Sequence, residues 1–318
     1  LVDNMSLGYT WQNDYLLYFN KDWDKHHIDA MVGMSLQASQ KKNNDSTVKG
    51  FLNDSEYLQV LGAGQRDWRA TGGLNRWSML SYFGNINYNF NSRYLVSFNL
   101  RADGSSRFGK ENKFGYFPSG SVAWRLSEEE FMKDIKWLDM LKIKASYGTL
   151  GNQNLDKAYP AEPLLTNAYS AVFGKPSIIY PGYQLAYLPN PNLRWEKVEA
   201  WEAGFETNLL RNRLHFEGVY YKKNTKDLLA EVPGISGTIP GIGNLGEIQN
   251  KGVEMAVTWR DQIGDWGYSV SANLTTIKNE VKSLVQEGYS IIAGDKQQSY
   301  TMAGYPIGYF YGYKVAGV

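Results

Sequence analysis

Three histidines are present, and none is placed for catalysis. His26 and His27 are adjacent in a segment of alternating side chains, so they point to opposite faces and cannot grip one metal together. His215 stands alone on a polar face, without an acid or hydroxyl group that would make it a base, and a solvated or hydrogen-bonded imidazole is the expectation. Glu202 and Glu206 share one strand face at a spacing that suggests paired carboxylates, but sparse charges lining a wet lumen account for them more simply. Ser127-Glu128-Glu129-Glu130 reads as a capping box and predicts a short helix whose N-terminus favours the acidic residues. Gly104-Ser105-Ser106 and the glycines from Gly234 to Gly243 do not lie between a strand and a helix, as a phosphate loop requires. With no cysteine, thiol nucleophiles, disulfides and zinc ribbons are excluded. No enzyme, metal site or cofactor is predicted.

Binding chemistry is better represented. Sugars offer C–H faces to aromatic rings and hydroxyls to amides, carboxylates and guanidinium groups. Arg66, Asp67, Trp68 and Arg69 supply such groups in a long polar segment over 40–76. Tyr159, Tyr169, Tyr180, Tyr183 and Tyr187 supply rings in a second, proline-rich segment over 152–194. Both segments are expected to be outer loops, and Arg66, Asp67, Trp68, Arg69, Tyr159, Tyr180 and Tyr183 are the candidate ligand residues. The competing use of these rings is packing within the loops or a girdle at a membrane interface.

The elements that must hold these loops are strands. From Ser78 to Gly109, Tyr82, Gly84, Ile86, Tyr88 and Phe90 alternate with Asn85, Asn87 and Asn89; after Asn91-Ser92-Arg93, Tyr94, Val96, Phe98 and Leu100 alternate with Ser97, Asn99 and Arg101. The pattern is a hairpin with one apolar and one polar face. Further strands are predicted at 13–20, 26–39, 115–126, 141–151, 195–208, 213–222 and about 253–260 and 266–274. Over 195–208 a helical spacing of Trp195, Val198, Trp201 and Phe205 competes, and strand is preferred because the next segment pairs with it. In the segment 141–151, Lys142, Lys144 and Ser146 oppose Ile143, Ala145 and Tyr147. Connections alternate throughout between short (21–25, 91–93, 127–138, 210–212, 262–265) and long or medium (40–76, 104–114, 152–194, 229–246, and from 280). Outer-membrane barrels have this asymmetry, with tight periplasmic turns and long extracellular loops. On that reading Asn85, Asn87, Asn89, Asn99, Arg101, Lys142 and Lys144 face the lumen.

Composition agrees. Lys and Arg number 33 against 32 Asp and Glu, which gives no basic excess for nucleic acid. Aromatics reach 14% of residues, with 23 Tyr and 10 Trp, in a chain with no apolar run of transmembrane-helix length. The beginning and end read as those of an excerpt from a longer protein.

Several stretches together are familiar: SYFGNINYNFNSRYLVSFNLRADGSSRFGKENKFGYFPSGSVAWRLSEEEF, LKIKASYGTLGNQ, NPNLRWEKVEAWEAGFE with YYKKNTKDLL, and GYPIGYFYGYKVAG. Over nearly the whole chain the sequence resembles the SusC/RagA family of TonB-dependent outer-membrane transporters. Asn190-Pro191-Asn192-Leu193 with Trp195-Glu196 is similar to a pattern of TonB-dependent receptors in general, whereas Asp103 to Phe108, Phe117-Pro118-Ser119 and Gly148 to Gln153 resemble the SusC branch; Asn85 stands where that branch more often has a basic residue. The resemblance implies a plugged barrel of about 22 strands, of which residues 1–318 would be some ten strands without the plug and the closing strands. It also implies an outer membrane of a Gram-negative bacterium, a SusD-like surface lipoprotein, the TonB complex, membrane lipid, and an oligosaccharide or peptide substrate as partners. The alternatives from the residues alone are a secreted all-β carbohydrate-binding module and a complete ten-stranded barrel enzyme. Expressed alone, the excerpt is expected not to form a stable monomer, because its terminal strands leave unpaired edges.

Overall fold

The computed structural model describes residues 1–312 apart from 54, 156, 158, 168–169, 176, 233–239, 286–287 and 296. The strands in chain order are β1 (Val2–Trp23), β2 (His26–Lys49), β3 (Arg66–Phe90), β4 (Tyr94–Ser105), β5 (Phe114–Arg125) and β6 (Leu138–Asn152). Four short strands follow, β7 (Leu165–Asn167), β8 (Ala171–Phe173), β9 (Ile178–Tyr180) and β10 (Tyr183–Leu185), and then β11 (Glu196–Leu209) and β12 (Leu214–Lys226). The remainder are β13 (Leu229–Val232), β14 (Gly241–Asn244), β15 (Gly246–Ile263), β16 (Trp266–Thr275), β17 (Lys278–Leu284), β18 (Ser290–Ala293), β19 (Ser299–Met302) and β20 (Tyr309–Phe310).

The long strands make one antiparallel wall in the order β1-β2-β3-β4-β5-β6-β11-β12-β15-β16, an open sheet with β1 at one edge. β17 continues the line of β16 along the other end of β15 after an interruption at Thr276, whose backbone N–H donates to Val253 O at 2.9 Å. The four short strands between β6 and β11 pair as two small hairpins, β7 with β10 and β8 with β9. Strand is therefore the right reading over 196–209. At the hairpin from Ser78, Asn91 and Ser92 take φ values of 53° and 54°, the paired positive φ that matches strand twist in a tight turn.

Two expectations are corrected. The polar segment 40–76 is mostly strand: β2 runs on to Lys49 and β3 starts at Arg66, leaving only 50–65 as a connection, with two single 3-10 turns. Its far part is wet on both sides, so the polar/apolar alternation that reveals a strand is missing there. Arg66, Asp67, Trp68 and Arg69 accordingly lie in the extended end of β3, not in a loop. The capping box is the second correction: 126–128 and 130–132 are separate 3-10 turns, Ser127 falls inside the first, and its buried hydroxyl caps nothing.

One face of the wall is apolar and exposed. Val122, Phe98 and Trp201 are 53%, 52% and 58% exposed on strands whose neighbours are polar and turned inward. A contiguous surface of this kind fits hydrocarbon rather than water. Near the tight turns it ends in a chain of rings: Trp23 stacks on His26 (5.3 Å), His26 meets Phe90 (4.9 Å), Phe90 meets Tyr94 (6.3 Å), and Tyr94 meets Trp124 (6.2 Å). Such a girdle marks a membrane interface. From Tyr94 the cross-strand row passes through Trp124, Ile143, Phe205, Gly218 and Met255 to Leu274, eight residues beyond the start of β16. The tight-turn end of the wall therefore steps steadily along the strands.

Candidate functional site

The inner face begins as alternate residues. Asn87, Asn89, Ser97, Ser121, Lys142, Lys144 and Glu202 come from five neighbouring strands and, with His27 and Asp29, line an open trough of about 640 Å³. Antiparallel register sets the ion pairs. Lys142 lies opposite Glu206 and pairs with it at 2.5 Å; Lys144 reaches across β11 to Glu217 on β12. Ser97 and Ser121 share a hydrogen bond of 2.7 Å. His27 is held between Asp22 (2.5 Å) and Asp29 (2.6 Å), and Asn20 donates to Asp29. Asn89 Oδ1 is buried there without a hydrogen-bond partner.

Farther from the tight turns a second hollow of about 370 Å³ contains Asn85, Asn99, Arg101, Asp103, Phe117 and Leu150 in its lining. Arg101 Nε donates to both Asp103 oxygens at 2.7 Å and Nη2 to Ser81 Oγ at 2.9 Å, while its guanidinium lies 5.2 Å from the Phe83 ring. His26 is on the other face, bonded to the Tyr88 hydroxyl at 2.7 Å, so the two adjacent histidines are kept apart. His215 bonds Asn208 Oδ1 at 2.7 Å. Among the described residues no group of three acidic or histidine side chains is arranged for a metal.

Above the inner face the loops are tied into a collar. Phe108, Phe117, Leu155, Leu193, Trp195 and Ile242 form its buried cluster. Trp195 packs on Phe108 at 4.8 Å and edge-on to Phe117 at 5.4 Å, and its indole N–H donates to Lys113 O at 3.0 Å. Arg107 donates to Leu155 O at 2.6 Å, Asn190 to Ile242 O at 3.1 Å, and Asn112 to Asn192 O at 3.2 Å. A Cβ on Gly109 would stand 1.9 Å from Pro191 O, so only glycine allows this approach. Beyond the collar, Arg194 pairs with Asp227 at 2.6 Å, and that bond pushes the guanidinium further up.

The candidate ligand residues fall in separate places. Asp67 pairs with Lys49 at 3.6 Å on the β2–β3 extension. The Tyr159 carbonyl accepts the Tyr187 hydroxyl at 2.7 Å, next to the collar. Tyr180 and Tyr183 are exposed on the two small hairpins, Tyr180 meeting Phe173 at 5.9 Å. Tyr169 lies outside the described residues. No described hydrogen bond, ion pair or ring contact joins the arginine group to the tyrosines. Asp22 and Asp29 were not singled out from the sequence although they lie within five residues of His27, and Asp103 was read only as part of a motif; Glu217 as the partner of Lys144 is revealed only by the strand register, which brings together residues far apart in the chain.

Residues 3–315 match the family described as TonB dependent receptor-like, beta-barrel. The chain is 32% identical to TonB-dependent receptor P3 of Formosa agariphila, over 97% of this chain and 31% of that protein. It is 33% identical to TonB-dependent receptor SusC of Bacteroides thetaiotaomicron, over 89% and 28%. A solved structure of the RagAB peptide transporter superposes with a TM-score of 0.82 at 26% identity, over 96% of this chain and 33% of that one. The chain thus spans about a third of the length of these relatives.

Proposed function

Because this chain belongs to the TonB-dependent receptor-like β-barrel family, a family of outer-membrane proteins, we propose that it forms part of the barrel wall and outer collar of a nutrient importer. In this reading a plug and further strands complete the barrel, the TonB complex energises it, and a SusD-like lipoprotein accompanies it at the surface. The cargo is a polar oligomer, an oligosaccharide or a peptide. The observation that carries the reading is the two-faced wall: apolar and exposed outside, and inside a trough of paired charges and amides that can exchange hydrogen bonds with a passing solute. Support for the family's mode of action comes from SusC and from RagAB, which is named a peptide transporter. A secreted carbohydrate-binding module does not fit an outer face of this apolarity.

The test is uptake by cells that carry or lack the full-length gene. Import of one class of labelled oligomer, short peptides or oligosaccharides, should disappear with the gene and return with it. Undiminished uptake of both classes would sink the importer reading. Recovery of the full-length protein from the soluble fraction without detergent would sink the membrane reading as well.

A further inference from the structure

The outer face changes character at a single row. On β12 the outward series is Leu214, Phe216, Gly218, Tyr220, then Lys222; on β15 it is Trp259, Val257, Met255, Val253, then Lys251. On β16 it ends at Ala272 and Leu274, and Lys278 opens β17. The three lysines are direct cross-strand partners, Lys222 opposite Lys251 and Lys251 opposite Lys278. Their neighbours Asn250 and Asn279 bond each other at 2.7 Å on the opposite, inner face.

Like charges placed directly opposite one another destabilise a sheet. Among the described residues, no carboxylate lies within ion-pair distance of the three lysines. Of the acids on this face, Glu199 pairs with Lys226 at 2.7 Å and Glu280 with Lys282 at 2.6 Å, Glu280 feeling the charges of Lys278 and Lys251 from beyond ion-pair distance, while Glu247 stands opposite Ser283 toward the far end of β15. Trp201 shares the row with Lys222 and packs on Tyr147 at 4.4 Å, so the lysines stand where aromatic rings close the apolar belt at its outer end. Adjacent strands spaced ~4.8 Å apart set the backbones of the three lysines along a line about 10 Å long.

We propose that Lys222, Lys251 and Lys278 hold the phosphate groups of an anionic lipid of the outer leaflet, whose acyl chains lie on Tyr220, Val253 and Leu274 below them. Placement at the boundary favours an amphiphile over a soluble anion, because only an amphiphile uses both the apolar belt and the charge row. The inference rests on the apolar face being the lipid-facing one.

The test uses the full-length protein in a non-ionic maltoside, titrated with diphosphorylated lipid A and with the same lipid after phosphate removal. Wild type should bind the phosphorylated lipid at least tenfold more tightly than the dephosphorylated one and gain thermal stability from it. The K222Q/K251Q/K278Q protein should lose that preference, and the triple arginine protein should keep it. Without lipid, the triple glutamine protein should melt at or above wild type, since a repulsion has been removed. Equal affinity of wild type for the two lipids, or an unchanged preference in the glutamine protein, overturns the proposal. So does a lower lipid-free melting point of the glutamine protein, which would make the row structural. Failure of the importer reading would show separately, as lost membrane association or unaffected uptake.

Discussion

Glu129 illustrates what one side chain does at the tight-turn rim. It accepts hydrogen bonds from the Tyr94 hydroxyl at 2.8 Å and the Trp124 indole at 3.1 Å, and Arg93 stands 3.2 Å away. The Tyr94 bond first, then Trp124 and Arg93, hold its carboxyl below the usual carboxylate range. A pKa depressed on folding means that the stabilisation is present above the ordinary value of about 4.3 and is lost as pH falls through the folded value. The E129Q form of the full-length protein should therefore melt below wild type at neutral pH, with the gap closing toward pH 3. Equal melting at pH 7 would refute this role. The sequence marked Glu129 only as one acid of a helix cap, since Tyr94 and Arg93 are more than thirty residues away. Lys142 and Lys144 were legible as residues of one face by their alternation, but their partners Glu206 and Glu217 depend on register.

Among the elements, the collar and the two faces of the wall make separate predictions. Trp195 is 4% exposed and fills the centre of the collar cluster. W195A should cost about 3–5 kcal/mol of local stability, and limited proteolysis should then cut near 106–113 and 188–195 while the wall strands stay intact. Cleavage no faster than in wild type would contradict the packing. Val122 and Ser121 are adjacent on β5 and face opposite ways. V122K should cost about 2–4 kcal/mol in bilayer-reconstituted protein, whereas S121K should be nearly neutral, as measured by denaturant unfolding; similar costs would reverse the assignment of faces. Strands with one apolar face were readable from period two. The outer ends of β2 and β3 were not, because nothing there distinguishes one face from the other. The motifs Asp103 to Phe108 and Asn190 to Glu196 were visible as a resemblance, but their shared purpose, closing on Trp195, needed the fold.

For the whole wall, register fixes inclination. A climb of eight residues over the six steps from β4 to β16, at ~3.3 Å per residue and ~4.8 Å per strand, is a slope of roughly 42°, inside the usual range for barrels. Polarised infrared dichroism of the full-length protein in oriented bilayers should give a mean strand tilt near 40°; strands close to the membrane normal would rule out this register. The ten long strands of the wall and their antiparallel order were legible in the sequence, since tight turns and amphipathic strands are local signals, whereas the short strands of the outer loops were not. The tilt was not, because it accumulates from pairings between distant segments. At that tilt the outer ends of β2 and β3, the last ten or so residues of β2 and the first ten or so of β3, rise roughly 25 Å above the lipid. This ladder, bearing Lys41, Lys42, Asn43, Asn44 and Asp45, should be a rigid surface projection, and antibodies raised against it should label intact cells. Backbone hydrogen bonds between the strands hold its shape, so side-chain substitutions there should leave the ladder standing.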